Sequence, residues 1–382
     1  MTTTKIMESF WKCRGLIDLF SDKELEPIID KVLSMRPLDI DDGIAILEST
    51  NLFLLGTLAD YVRRRTVGEN VTFAFNMHID YTNICDSKCK FCAYYREPTD
   101  NDAYAMSLEE ILKKAGEANK MGVQELHIVG ALNPDLDFSF FENMIEQIHT
   151  SYPQMGIKAF TAVEIAYIAQ NEEITVREVL KRLKDVGLTC MPGGGAEIFS
   201  KRVRARLCPG KISGERWLEI MEEAHTLGIP TNATMLYGHI ETPAEIVDHL
   251  LRLRNLQRKT HGFQAFIPLS FHPQNTKLEN SIPEPTGFDD LKMILLSRLM
   301  LTGYIDNIKA YWIMLGEKLA QIALLYGAND LDGTVIEERI THATGAVTAE
   351  YLPVEQLINL IKGAGRAPVE RTATYDIVKV YR

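Results

Sequence analysis

The sequence is poor in cysteine, poor in tryptophan and short of positive charge. Six cysteines in 382 residues are too few for a disulfide-stapled scaffold, and a chain of this length buries a large core without one. Acidic residues outnumber basic ones by 52 to 41, a formal net charge of −11. That field disfavours nucleic acid and anionic membranes as general partners, because both attract basic surfaces. It leaves room for a local basic pocket around an acidic small molecule. No stretch reaches the roughly 18 uninterrupted apolar residues of a membrane span, and residues 1–20 carry no apolar run of secretory type. The expectation is a soluble, cytoplasmic protein in a reducing compartment. No G-x-G-x-x-G opens a helix after the first strand, which argues against a dinucleotide fold. Internal repeats and low-complexity segments are also missing.

What is present is alternation. Residues 22–35 and 39–65 carry apolar side chains at helical spacing. From residue 71 short apolar strands alternate with helical stretches. The strands are expected at 73–80, 125–130, 157–163, 189–192, 231–237, 263–269, 307–314 and, more weakly, 332–336. Helices are expected between them at 108–121, 140–150, 175–186, 215–227, 245–260 and 289–302. Ser107 with Glu110 makes a capping box, and Gly122, Gly187 and Gly228 stop three helices. Eight strand–helix units in series predict an α/β fold, a (β/α)8 TIM-type barrel with its chemistry at the C-terminal strand ends. The reading is a helical extension over 1–70 packed on a barrel over 71–350. A C-terminal helix (354–362, Pro353 at its start, Gly363 at its stop) and a tail complete 351–382. Gly193-Gly194-Gly195 is either a tight turn or a place where a ligand approaches backbone. Asp41-Asp42 and the pair Asp330 and Asp332 read as caps or surface acids rather than metal ligands.

Three of the six cysteines fall within eight residues: Cys85, Cys89 and Cys92, spaced C-x3-C-x2-C. The cluster follows the first expected strand, where a barrel enzyme places active-site groups. Three thiolates on one loop can hold three corners of an iron–sulfur cube and leave the fourth iron open. A structural zinc site would want a fourth ligand, for which only His78 is at hand. Cys13, Cys190 and Cys208 read as ordinary small residues.

This spacing, with Phe91 before the last cysteine, resembles the signature of radical S-adenosylmethionine (SAM) enzymes. Further stretches resemble the menaquinone and deazaflavin subgroup: 83–93 (NICDSKCKFCA), 127–130 (HIVG), 158–165 (KAFTAVEI), 192–198 (PGGGAEI), 232–241 (NATMLYGHIE), 265–273 (AFIPLSFHP) and 309–314 (KAYWIM). The second and fourth of the longer strings, 158–165 and 232–241, are most similar to the aminofutalosine synthase family. Ala131 and Asn133 depart from the Gly and His of that pattern.

The resemblance implies a [4Fe–4S] cluster and SAM consumed as co-substrate. It implies addition of a 5′-deoxyadenosyl radical to the dicarboxylate 3-[(1-carboxyvinyl)oxy]benzoate. Rearrangement and loss of bicarbonate then give 6-amino-6-deoxyfutalosine in menaquinone biosynthesis. A flavodoxin or ferredoxin-type protein would supply the electron. Cys85, Cys89 and Cys92 would ligate the cluster. Phe91, Glu197, Arg216, Tyr237 and Glu241 would bind SAM. Glu164, His239 and His272 would be catalytic, and His78, Thr161, Asn232 and Arg206 would contact substrate, Arg206 from the basic run with Arg202 and Arg204. Competing readings are dehypoxanthine futalosine cyclase, a deazaflavin synthase subunit, a non-catalytic iron–sulfur electron carrier and a zinc protein.

Overall fold

The computed structural model describes residues 25–382; Cys13 and the start of the first expected helix lie outside them. Helices α1 (Glu26–Leu33), α2 (Ile40–Glu48) and α3 (Leu52–Thr66) come first. The single helix expected over 39–65 is broken at residues 49–51, where the Asn51 side chain accepts from the Leu54 amide at 3.2 Å and caps α3. Asp42 closes a capping box with Asp39.

The strands are β1 (Asn70–Ala74), β2 (Asn76–Asp80), β3 (Glu125–Val129), β4 (Gly156–Ala159), β5 (Thr231–Tyr237), β6 (Phe263–Ser270) and β7 (Asp330–Gly333). The strand expected over 73–80 is thus two pieces. Parallel ladders join β2, β3 and β4, and β5 to β6. Single parallel bridges complete the circuit: Lys158 to Cys190, Met191 to Thr231, Phe266 to Ile308, Lys309 to Asp330, and Ile336 back to Met77. The ring of parallel pairings closes on itself, which makes the sheet a barrel. The strands expected at 189–192 and 307–314 shrink to those bridges, and Trp312–Leu315 is helical.

Helices α4 (Leu108–Met121), α5 (Phe138–Ser151), α6 (Ala162–Asn171), α7 (Val176–Asp185), α8 (Lys201–Leu207), α9 (Gly214–Thr226), α10 (Pro243–Thr260) and α11 (Gly287–Leu301) connect the strands. Short helices α12 (Trp312–Leu315) and α13 (Glu317–Ala323) precede β7. The N-terminal layer packs on this ring, α2 against α10 and α3 against α11. No described helix is long and apolar enough to cross a membrane.

After α14 (Val354–Gly363) the segment read as a tail is a hairpin: β8 (Ala367–Arg371), parallel to β1, and β9 (Ile377–Val380), antiparallel to β8. β8 carries Arg371 into the barrel, where its Nε donates to Asp330 at 2.8 Å. Lys158 Nζ donates to Glu125 at 2.7 Å, and Lys309 pairs with Asp332. Asp330 and Asp332 are therefore buried partners of cations, not surface acids. Burial works against the Glu125 charge, but Lys158 and Arg371 hold its pKa down to about 2. Three cations and three carboxylates balance here, the condition under which buried charge is tolerated.

Candidate functional site

A cavity of about 250 Å³ opens at the C-terminal ends of the strands. Residues at or after the C-terminal ends of β2, β3, β4, β5 and β6 meet there, among them all three clustered cysteines, Gly130, Val163, Leu236 and His272. Most of the remaining wall is apolar: Leu132, Leu269, Phe271 and Met314.

The cysteine loop is held open by backbone. Cys85 N–H donates to the Arg96 carbonyl at 3.2 Å, Asp86 N–H to the Leu132 carbonyl at 3.1 Å and Lys90 N–H to the Leu207 carbonyl at 2.8 Å. Arg96 donates to the carbonyls of Ala93, Tyr94 and Tyr95, while its Nε is bonded to Asp102. The thiols are free; Cys89 is buried, Cys85 and Cys92 are half-buried. Burial pushes the Cys92 thiol up to about 11 and also raises Cys89, against the pull of Lys211 and the Ser87 hydroxyl. Thiols that resist ionising alone become thiolates on a bound metal centre, whose charge compensates them. Among the described residues no three His, Cys, Asp or Glu side chains converge on a point that one ion could occupy. A free thiol set lining one pocket, with Lys211 beside it, fits a cluster that meets each cysteine at a different corner.

Glu197, at a left-handed φ of +49°, turns its carboxylate into the wall and pairs with Lys211. The Lys211 ammonium lies 5.3 Å from the Phe91 ring centroid. Burial opposes the Lys211 charge, yet Glu197 outweighs it and keeps the ammonium protonated beyond the usual lysine range.

The structure brings Cys85, Cys89, Cys92, Phe91, Glu197 and His272 to this cavity. His272 Nε2 lies 3.1 Å from the Met314 carbonyl. The other expected residues sit elsewhere or behind the wall. Glu164 is buried, accepts from the Tyr81 hydroxyl at 2.6 Å and the Gly130 amide at 3.2 Å, and closes a capping box with Thr161. Burial raises its pKa, with these bonds pulling the other way. The Tyr237 hydroxyl donates to Asp290 at 2.7 Å. His239 Nδ1 lies 2.5 Å from Glu241, whose carboxylate also accepts from the His239 amide at 3.0 Å, so the pair ties the turn after β5 to itself. Arg216 is exposed and pairs with Glu219 at 2.9 Å. Arg206 is exposed on α8, Arg202 pairs with Glu245, and Arg204 is buried, holding the Ala196 carbonyl at 2.7 Å.

His78 and Asn232 point polar atoms into the barrel with no partner: both ring nitrogens of His78 and Oδ1 of Asn232. His78 stacks on His127 with ring centroids 4.3 Å apart, and burial depresses both imidazoles. The glycine run is explained by neighbouring chain. A Cβ at Gly193 would meet the β5 backbone at 2.8 Å, and one at Gly195, whose φ is +82°, would meet Val163 at 2.3 Å. Ala131 lines the cavity and Asn133 donates to Thr82 Oγ1 at 3.1 Å, so both departures from the family pattern have defined places.

Sequence reasoning passed over Lys211, Ser87, Thr341 and Thr344, which also line the cavity. Lys211 follows a Pro-Gly pair in a loop, and only folding sets it against Glu197.

Two family models match the chain: the radical SAM superfamily over residues 79–253, and the CofH/MqnC C-terminal region over residues 260–382. The chain is 41% identical over 363 residues to the aminodeoxyfutalosine synthase of Thermus thermophilus, covering 94% of this chain and 97% of that one. It is 42% identical over 353 residues to the 5-amino-6-(D-ribitylamino)uracil--L-tyrosine 4-hydroxyphenyl transferase of Methanothermobacter thermautotrophicus, covering 91% and 96%. Among solved structures, methylornithine synthase is similar in fold, with a TM-score of 0.69 at 19% identity, covering 89% of this chain and 96% of that one.

Proposed function

We propose that this chain, which belongs to the radical SAM superfamily, is an aminofutalosine synthase. Family membership brings a [4Fe–4S] cluster and SAM, which together supply a 5′-deoxyadenosyl radical after one-electron reduction. The rest is the work of the chain. Cys85, Cys89 and Cys92 would hold three of its irons and leave the fourth open to SAM. Glu197 and Phe91 face the same cavity as the cofactor contacts.

 Leu132, Val163, Leu236 and Leu269 give the cavity an apolar wall that excludes water around a radical. Glu164 acts behind that wall as a positioning residue, fixing Tyr81 and the Gly130 amide. The His239–Glu241 pair fixes the turn after β5 in the same way.

The observation that carries this reading is the lining itself. Its surface is mostly apolar, with Lys211 and His272 as the basic groups and Ser87, Tyr94, Tyr95, Ser270, Thr341 and Thr344 as the hydroxyl-bearing residues. A flat aryl enol ether with two carboxylates needs apolar walls and one or two donors. The stretches 158–165 and 232–241, which resemble this family, contribute Val163 and Leu236 to that lining. A second reading, hydroxyphenyl transfer from L-tyrosine to 5-amino-6-(D-ribitylamino)uracil, draws on the archaeal relatives at equal identity. Its polyol chain would need partners from the hydroxyl and charged groups of the same lining.

The test is anaerobic incubation of cluster-loaded protein with SAM and a reductant, in parallel with the enolpyruvyl benzoate and with tyrosine plus the ribitylaminouracil. Mass spectrometry should find an adenosyl–substrate adduct that has lost one carboxylate in the first reaction. Free 5′-deoxyadenosine alone there, with a new product in the second, would replace this reading with the other.

A further inference from the structure

A TIM-type barrel is ordinarily filled by layers of branched apolar side chains. This barrel is polar at its centre. Alternate positions of a strand share a face. The register that pairs Leu236 with Leu269 in the cavity wall therefore places Thr234 with Ile267, and Asn232 with Ala265, at successively deeper levels of the same face. Elsewhere around the ring His78 pairs with His127, and His127 with Lys158. Ile267 and His127 face inward yet are only half-buried, so the space of the cavity continues down between them. Polar atoms on this floor have no partner: both ring nitrogens of His78, Oδ1 of Asn232 and Oδ1 of Asp80, on residues 5%, 1% and 2% exposed. An imidazole always carries at least one N–H, and a buried donor left unmet costs about 1–3 kcal/mol. Such atoms on two strands, turned to one space, describe a seat for a polar group.

The charges around that seat are already matched. Lys158 is bonded to Glu125, Lys309 pairs with Asp332 and Arg371 with Asp330. Glu338, in the loop after β7, pairs with His342 at 3.0 Å. Asp80 lies on the same face of β2 as His78, two residues on. Burial and the neighbouring Glu338 raise its pKa well above the usual carboxylate range, so it adds no charge. Burial keeps His78 and His127 neutral as well, against the pull of Glu338, Asp332 and Glu125. A carboxylate that enters adds a negative charge with no counterpart, and buried charge is tolerated only with one. The lysines and Arg371 are held by their own carboxylates. The imidazoles are the groups that still have a charge to gain.

We propose that the stacked His78–His127 pair, with Asn232, seats the carboxylate at the benzoate end of the substrate, and that the pair takes up one proton from solvent as the carboxylate binds. The inference rests on the aminofutalosine synthase reading and adds to it the place and the protonation of one carboxylate. No covalent bond forms or breaks: one imidazole becomes imidazolium and faces the carboxylate as a charge-assisted donor. Leu236, Leu269 and Ile267 then lie along the aromatic ring, and the enol-ether end points up toward the cysteine loop, where the reaction must start.

The experiment is calorimetric titration of protein loaded with cluster and SAM, without reductant, using 3-hydroxybenzoate as the probe. Run in two buffers of different ionisation enthalpy, the wild type should take up about one proton per molecule bound, and affinity should fall about tenfold per pH unit above neutrality. The neutral analogue 3-hydroxybenzamide should bind without proton uptake and without that slope. His78→Asn should bind the acid about tenfold more weakly, the size of one charge-assisted hydrogen bond, and should bind the amide as the wild type does. Cluster absorbance and the urea midpoint report whether the variant is folded; if it is not, the wild-type proton count and pH slope decide alone. Absence of proton uptake in the wild type would overturn the proposal. So would a folded His78→Asn protein that binds the acid as tightly as the wild type. The aminofutalosine synthase reading is decided by the product formed when reductant is present, whereas this titration involves no turnover, so either can fail without the other.

Discussion

Lys211 and Glu197 form an ion pair in the wall of the cysteine cavity, with the Lys211 ammonium 5.3 Å from the centre of the Phe91 ring. One lysine thus connects two residues, Phe91 and Glu197, that resemble cofactor contacts of the family. It also stands close enough to Cys89 to oppose the rise of that thiol's pKa. Its position links the fold's charge balance to the chemistry of the pocket.

Lys211→Met should leave the Glu197 carboxylate without its partner. The loss of one member of a largely buried pair costs on the order of 3 kcal/mol. Urea unfolding should show that loss, and the KM for SAM should rise. Lys211→Arg should restore most of both. An unchanged unfolding midpoint in Lys211→Met would show that the pair adds no net stability.

Replacing Cys85, Cys89 or Cys92 by alanine should abolish the brown cluster absorbance and SAM cleavage together. Cys190→Ala is the contrast. Its thiol is buried beside the Ala373 carbonyl at 3.6 Å, away from the cavity, so the variant should bind the cluster normally. A Cys89→Ala protein that still cleaved SAM would show the ligand assignment to be wrong.

Arg371 joins the C-terminal hairpin to the barrel interior. Arg371→Met should expose Asp330 and Glu125 to burial without enough positive charge, at a cost of about 4 kcal/mol. Chemical denaturation measures it directly. Removing β8 and β9 altogether should prevent recovery of folded protein, because β1 then loses a parallel partner. A truncated chain with wild-type stability would contradict that role.

His342 gives a pH dependence of defined sign. Its hydrogen bond to Glu338 raises the imidazole from 6.5 to about 9. The folded state therefore holds the proton more tightly than the unfolded chain. The resulting stabilisation is complete below pH 6.5, declines as pH rises and is gone above about 9. The difference in unfolding free energy between the wild type and His342→Gln should shrink across that window. A difference independent of pH would remove His342 from the balance.

The sequence by itself determined the barrel, the grouping of three cysteines on one loop and the family, because each depends on local pattern. Alternating strands and capped helices repeat at short range, and C-x3-C-x2-C lies within one loop. The bounds of α4 and β5 were legible for the same reason. Only the tertiary structure decided which polar residues share a site. Glu164, Tyr237 and Glu241 sit at strand ends like Glu197 does, yet their oxygens are taken by hydrogen bonds from Tyr81, to Asp290 through the Tyr237 hydroxyl, and from His239. Lys211 and Arg371 gave no local signal, since their partners lie 14 and 41 residues away along the chain. Periodicity reports burial along one element; the pairing of charges across elements is fixed only when the ring of strands closes and the buried carboxylates must find cations.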